Sequence, residues 1–192
     1  MSRLGEGATT ESRFSARELA YCGVLGAAAL LLPLVFHLLR LGHVFMPMYL
    51  PLVTLPFFVG VRPAAVTALV VPLLSAVVTG MPPLYPPLAP VMALELAAMA
   101  AAIAGVRAWR RAVNEWLLLA SVLVLGRVLN VALVWGVSLV LQLPAEFLAG
   151  VSFLAGWPGV VLMLLVVPPV VRGTRAQGGR QWLPEPGKGG GR

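Results

Sequence analysis

Three residues in this chain could do chemistry where charge is expensive to hold. Glu95, Arg127 and Asn130 interrupt stretches that are otherwise apolar. Glu95 comes twelve residues before Arg107, and Arg127 comes thirteen after Asn114. At the helical rise both lie about 18–20 Å from the charged ends of their segments, so they share a height in a bilayer. Ionisable groups at that depth are costly, turn toward the bundle interior, and by default mark a functional site. A plain Glu95–Arg127 ion pair is the alternative, because buried charges commonly neutralise each other. Asn130, one turn beyond Arg127, adds a donor and an acceptor to the same face.

Other chemistry is absent. The chain has no aspartate, which removes the usual motifs of phosphotransferases, aspartyl intramembrane proteases and magnesium-dependent lipid synthases. His37 and His43 are not in a His-Glu-x-x-His pattern, and Ser152 is followed by Phe153 rather than the glycine of a serine-nucleophile motif. Lys188 stands between glycines with no Ser or Thr after it, so the tail is not a phosphate-binding loop. Cys22 is the only cysteine, which excludes an intrachain disulfide or a cysteine-based metal cluster and reads as a small buried apolar residue. The residues therefore indicate no enzyme, no metal and no cofactor.

The elements that must position Glu95, Arg127 and Asn130 are membrane helices. The chain is 59% hydrophobic and only 11% charged, and its apolar runs are too long for a soluble core of 192 residues. The net charge of +7 sits at the ends of apolar segments, not in a stripe with interleaved aromatics, so it sets topology and does not point to nucleic acid. The expected fold is an all-α integral membrane protein, a six-helix transmembrane bundle over 16–172. A polar cytoplasmic tail, 1–15, precedes it, and a flexible Gly-rich tail, 173–192, follows.

Six spans are expected. The first, about Ser15 to Leu39, follows Arg13 and Arg17 like the start of a secretory signal but is long enough to cross and stay. The second, Val44 to Val61, carries Pro47, Pro51 and Pro56 and cannot be a straight regular helix; it should pack inside the bundle or line a cavity. The third, Pro63 to Thr79, ends at Gly80, suited to a left-handed helix stop. The fourth runs from Leu88 to Val106, and the fifth from Val113 to Leu141. The sixth, Phe147 to Val171, has a possible break at Gly156-Trp-Pro-Gly159. Between the third and fourth lies the uncharged, proline-loaded turn Met81–Pro90, which with Tyr85 and the His43 loop is expected to form the rim of a binding site over Glu95.

Charge asymmetry orients the spans. With the N-terminus inside, Arg3, Arg13, Arg17, Arg62, Arg107, Arg110, Arg111, Arg172, Arg175, Arg180, Lys188 and Arg192 are cytoplasmic, and only Arg40 falls in an external loop. Both termini then face the cytoplasm, and the proline turn faces out. On the first span Ala16 and Ala20, then Gly23 and Ala27, recur four residues apart, a small-residue seam that admits another helix or serves internal packing.

The chain resembles the substrate-binding S components of energy-coupling factor vitamin transporters over most of its membrane region. The resemblance is carried by Pro72-Leu-Leu-Ser75 running into Thr79-Gly-Met-Pro-Pro83, then by Met92 to Leu96 with its Glu, Gly126-Arg127, and Gly156-Trp-Pro-Gly159 leading to Val167-Pro-Pro169. The second span departs from it at Met46-Pro47-Met48. The resemblance implies a multi-pass protein of a prokaryotic plasma membrane that captures a water-soluble vitamin or precursor from outside. It also implies docking, through the Ala16, Ala20, Gly23 and Ala27 face, on a membrane coupling subunit driven by two ATPase subunits. Glu95, Arg127 and Asn130, closed over by Tyr85 and His43, are then the substrate-binding residues. The alternative from another class is a membrane scaffold without a ligand.

Overall fold

A computed structural model describes residues 15–38, 46–85, 87–110, 113–142 and 157–180, leaving out the side chains of His37 and of 175–180. The described residues are helical with no strand among them: α1 (Ala16–Leu38), α2 (Tyr49–Thr54) leading into a 3-10 turn (Leu55–Phe57), α3 (Val61–Thr79), α4 (Leu88–Trp109), α5 (Glu115–Leu141) and α6 (Trp157–Arg180). Five of these, α1 and α3 to α6, are long and apolar enough to cross a membrane. Their large apolar side chains on the outward faces, among them Leu19, Leu31, Val77, Leu125 and Leu165, are exposed as lipid-facing residues are.

Local sequence explains the boundaries. α1 opens with Ser15-Ala-Arg-Glu18, a reciprocal capping box in which Glu18 N–H donates to Ser15 Oγ (3.2 Å) and Ser15 N–H donates to Glu18 Oε2 (3.1 Å). α3 stops at Gly80, whose φ of 73° is the left-handed conformation a helix end favours. α5 opens at Asn114, whose side chain accepts from Trp116 N–H at 3.0 Å.

The second span differs most from a membrane helix. Pro51 lies in the first turn of α2 and Pro56 in the first turn of the 3-10 piece, where the missing N–H has no helical partner to lose. Each proline thus falls in the first turn of a short element. The result is not a sixth long span but a buried, broken segment: Tyr49, Leu52, Val53, Leu55 and Phe57 are all inside. It touches α1, α3, α4 and α6, so the shortest helix sits at the hub of the bundle.

α3 and α4 form the most extensive helix pair among the described elements, and their buried positions include many small residues: Ala64, Ala68 and Ala76 on α3, Ala89, Ala93, Ala100 and Ala104 on α4. Four-residue spacing of small side chains lets two backbones approach. The internal seam is therefore here. On α1, by contrast, Ala16, Ala20, Gly23 and Ala27 are exposed, Gly23 has nothing near a Cβ position, and the inward residues are Gly26 and Ala29.

Two boundaries shift from expectation. α4 runs to Trp109, one turn past Val106, and α6 continues through Gly173 to Arg180 where a flexible tail was expected. A helix whose backbone bonds are already made has no reason to stop where its side chains turn polar. The described part of α6 begins at Trp157, at the edge of the described residues, where the expected break at Gly156-Trp157-Pro158-Gly159 falls. The expected start at Phe147 lies outside the described residues, as do 1–14 and 181–192.

Candidate functional site

Glu95 lies two turns into α4 and is 1% exposed. Its Oε2 accepts two hydrogen bonds, from Tyr49 Oη at 2.6 Å and from Asn130 Nδ2 at 2.7 Å. α4 and α5 thereby bring Glu95 and Asn130 into direct contact. Its other oxygen, Oε1, is buried and has no hydrogen-bond partner.

Arg127, one turn before Asn130 on α5, is 5% exposed but does not pair with Glu95. Its Nη2 donates to the thioether of Met46 at 2.8 Å, and its guanidinium carbon stands 5.6 Å from the centre of the Tyr49 ring. Tyr49 thus stands between the charges, its hydroxyl on the carboxylate and its ring on the cation. The Glu95–Arg127 ion pair is not formed. A thioether is a weak acceptor for a group with five N–H donors, so Arg127 is held with most of its bonding capacity unused. Met46 itself has φ 45°, a left-handed conformation uncommon outside glycine.

Packing holds these side chains in register. Gly126 lies beside Arg127, and a Cβ there would come 2.5 Å from Met99 Sδ and 3.2 Å from Met99 Cγ. The bare backbone lets α4 and α5 close together at the level of the site. Further along the inward face of α5, Ser138 is 1% exposed and its Oγ has no partner. Thr54 and Ser121 return a bond to a carbonyl four residues back, to Leu50 at 2.6 Å and Leu117 at 2.7 Å. Ser138 does not.

Of the residues expected to bind substrate, the structure gathers Glu95, Arg127 and Asn130. Tyr85 is 75% exposed on the proline turn and does not join the cluster. His43 lies outside the described residues. Tyr49, Met46 and Ser138 went unread in the sequence. A signal existed for Tyr49, since a phenol inside a proline-rich apolar segment must find a polar partner. None existed for Met46, whose role depends on a turn. The described residues hold no cluster of His, Cys, Asp or Glu fit for a metal, and the donor set has one carboxylate and one cation.

Fold and site together define a multi-pass membrane protein with a buried polar centre built from a broken segment and two long helices. Compared with known proteins, the chain has no match: no family model, no curated protein and no solved structure is similar to it.

Proposed function

We propose that this chain is the substrate-binding membrane subunit of an uptake system for a small water-soluble, vitamin-like molecule. The observation that carries the reading is the buried Glu95 Oε1 without a partner, beside an Arg127 that is buried and not paired with it. Burying two opposite charges without joining them is costly, and a scaffold gains nothing by it. A binding site does, because the missing partner arrives with the ligand. The short α2, broken at membrane depth, supports the same reading, since discontinuous helices recur where transporters hold their substrates. So does the resemblance to S components.

In this proposal the broken second segment, about Val44 to Val61, counts as the sixth pass, both termini face the cytoplasm of a prokaryotic cell, and the turn at Tyr85 faces out. The chain performs no catalysis. Uptake is energised by a separate membrane coupling subunit with two ATPase subunits, and the exposed Ala16, Ala20, Gly23 and Ala27 offer that subunit a face on which backbones can meet.

The test is mass spectrometry of small molecules retained by protein purified gently in native lipid. Retention of one molecule per chain by the wild type, with loss in Asn130→Leu, is the expected result. An empty wild type from cells fed a rich medium would favour the scaffold.

A further inference from the structure

The site holds one anion and one cation and leaves each short of a partner. Oε2 of Glu95 is doubly engaged by Tyr49 and Asn130, so these two donors orient the carboxyl group and leave Oε1 as the open acceptor. Arg127 makes no ion pair with that carboxyl group, stands over the Tyr49 ring and is capped by a sulfur. A purely anionic ligand would satisfy Arg127 and bring its charge near a buried carboxylate. A purely cationic one would satisfy Glu95 and crowd the guanidinium. Only a molecule with both functions completes the two half-made interactions at once.

Resting on the binding reading above, we infer that the site takes a small zwitterion. An ammonium or similar N–H donor group meets Glu95 Oε1, and a carboxylate or phosphate replaces Met46 Sδ on Arg127. The Met46 thioether is suited to such displacement, being a weak acceptor on a flexible side chain. Tyr49, bonded to one charge and stacked under the other, acts as the spacer that sets the distance between the ligand's charged ends.

The probes are a ladder of ω-amino carboxylates from glycine to aminohexanoate, with the matched alkylamines and alkanoates, added to purified protein while its thermal midpoint is measured. The expected result is a saturable rise for one or two neighbouring rungs of the ladder. The amine and the alkanoate of the same length should give none, and the rise should be lost in both Glu95→Gln and Arg127→Met. An alkanoate that raises the midpoint as much as its amino acid, or a rise that survives Glu95→Gln, overturns the inference in favour of an anionic ligand. An amine that does so, or survival in Arg127→Met, overturns it in favour of a cationic one. No response to any rung also overturns it. In each of these cases a molecule retained by the wild type leaves the binding reading standing, whereas an empty wild type removes that reading separately.

Discussion

Glu95 and Glu115 are both buried carboxylates on adjacent helices, and their surroundings are opposite. Glu115, at the start of α5, takes a direct ion pair from Arg172 Nε at 3.3 Å. The same end of the bundle satisfies its other charges: Arg107 donates to Pro56 O at 2.8 Å and covers the Phe57 ring, and Glu18 accepts from Gly60 N–H at 2.9 Å while capping α1. There, charge ties elements together. At the centre, Glu95 has an oxygen with no partner and Arg127 has a sulfur in place of a carboxylate. Water can relieve an unmet charge at a membrane boundary and cannot in its interior, so the region with most to gain from pairing is the one left unpaired. The contrast separates charges that hold the fold from charges held for something else.

The sharpest way to break that contrast exchanges one arginine from each region. Arg127→Ala should abolish retention of a small molecule, a loss of roughly 10- to 100-fold or more for one charge-assisted hydrogen bond of about 1.5–3 kcal/mol. Its thermal midpoint should hold or rise, because a buried cation with a weak acceptor is removed. Arg107→Ala should do the reverse, leaving retention intact and destabilising by about 1.5–3 kcal/mol as the Pro56 carbonyl loses its charged donor. Identical behaviour of the two variants in ligand retention and thermal melts would dissolve the distinction.

Next in size is the packing that aligns the centre. Gly126→Leu should cost about 1–3 kcal/mol through overpacking against Met99, and Met99→Ala in the same chain should recover part of it. A melt showing no cost would mean that α4 and α5 are not closely apposed beside Arg127.

Ser138→Ala should act with the opposite sign. Its hydroxyl is buried without a partner, so replacing it by a methyl group should raise stability by up to about 1 kcal/mol. A loss would reveal a bond that Ser138 makes. Smallest of all is Glu115→Gln. The Arg172 side chain is 61% exposed, so breaking this pair should cost less than about 1 kcal/mol, with the cost shrinking further in high salt. Ligand retention should not change.

Several features were legible from local sequence because their causes are local. The apolar runs bounded by arginines give the long helices, and Gly80 and Asn114 mark a stop and a start through backbone chemistry each carries alone. Counting residues from the helix ends put Glu95 and Arg127 at one depth, since helical rise is fixed by hydrogen bonding within the helix.

Tertiary structure alone decided what those side chains do with one another. Depth fixes a height but not a facing direction, and so helix counting left pairing between Glu95 and Arg127 open. The answer depends on Tyr49, at the start of a short broken segment that carries Pro51 and Pro56 and packs at the hub of the bundle. In the same way the seam of Ala16, Ala20, Gly23 and Ala27 is evident as a spacing, but a spacing does not say which face of a helix its neighbours take. Contact between α1 and the rest of the bundle chose Gly26 and Ala29 for the inside and left the seam exposed. Periodicity and capping are properties of one segment; the partner of a buried charge is a property of several, set by which helices pack and how closely.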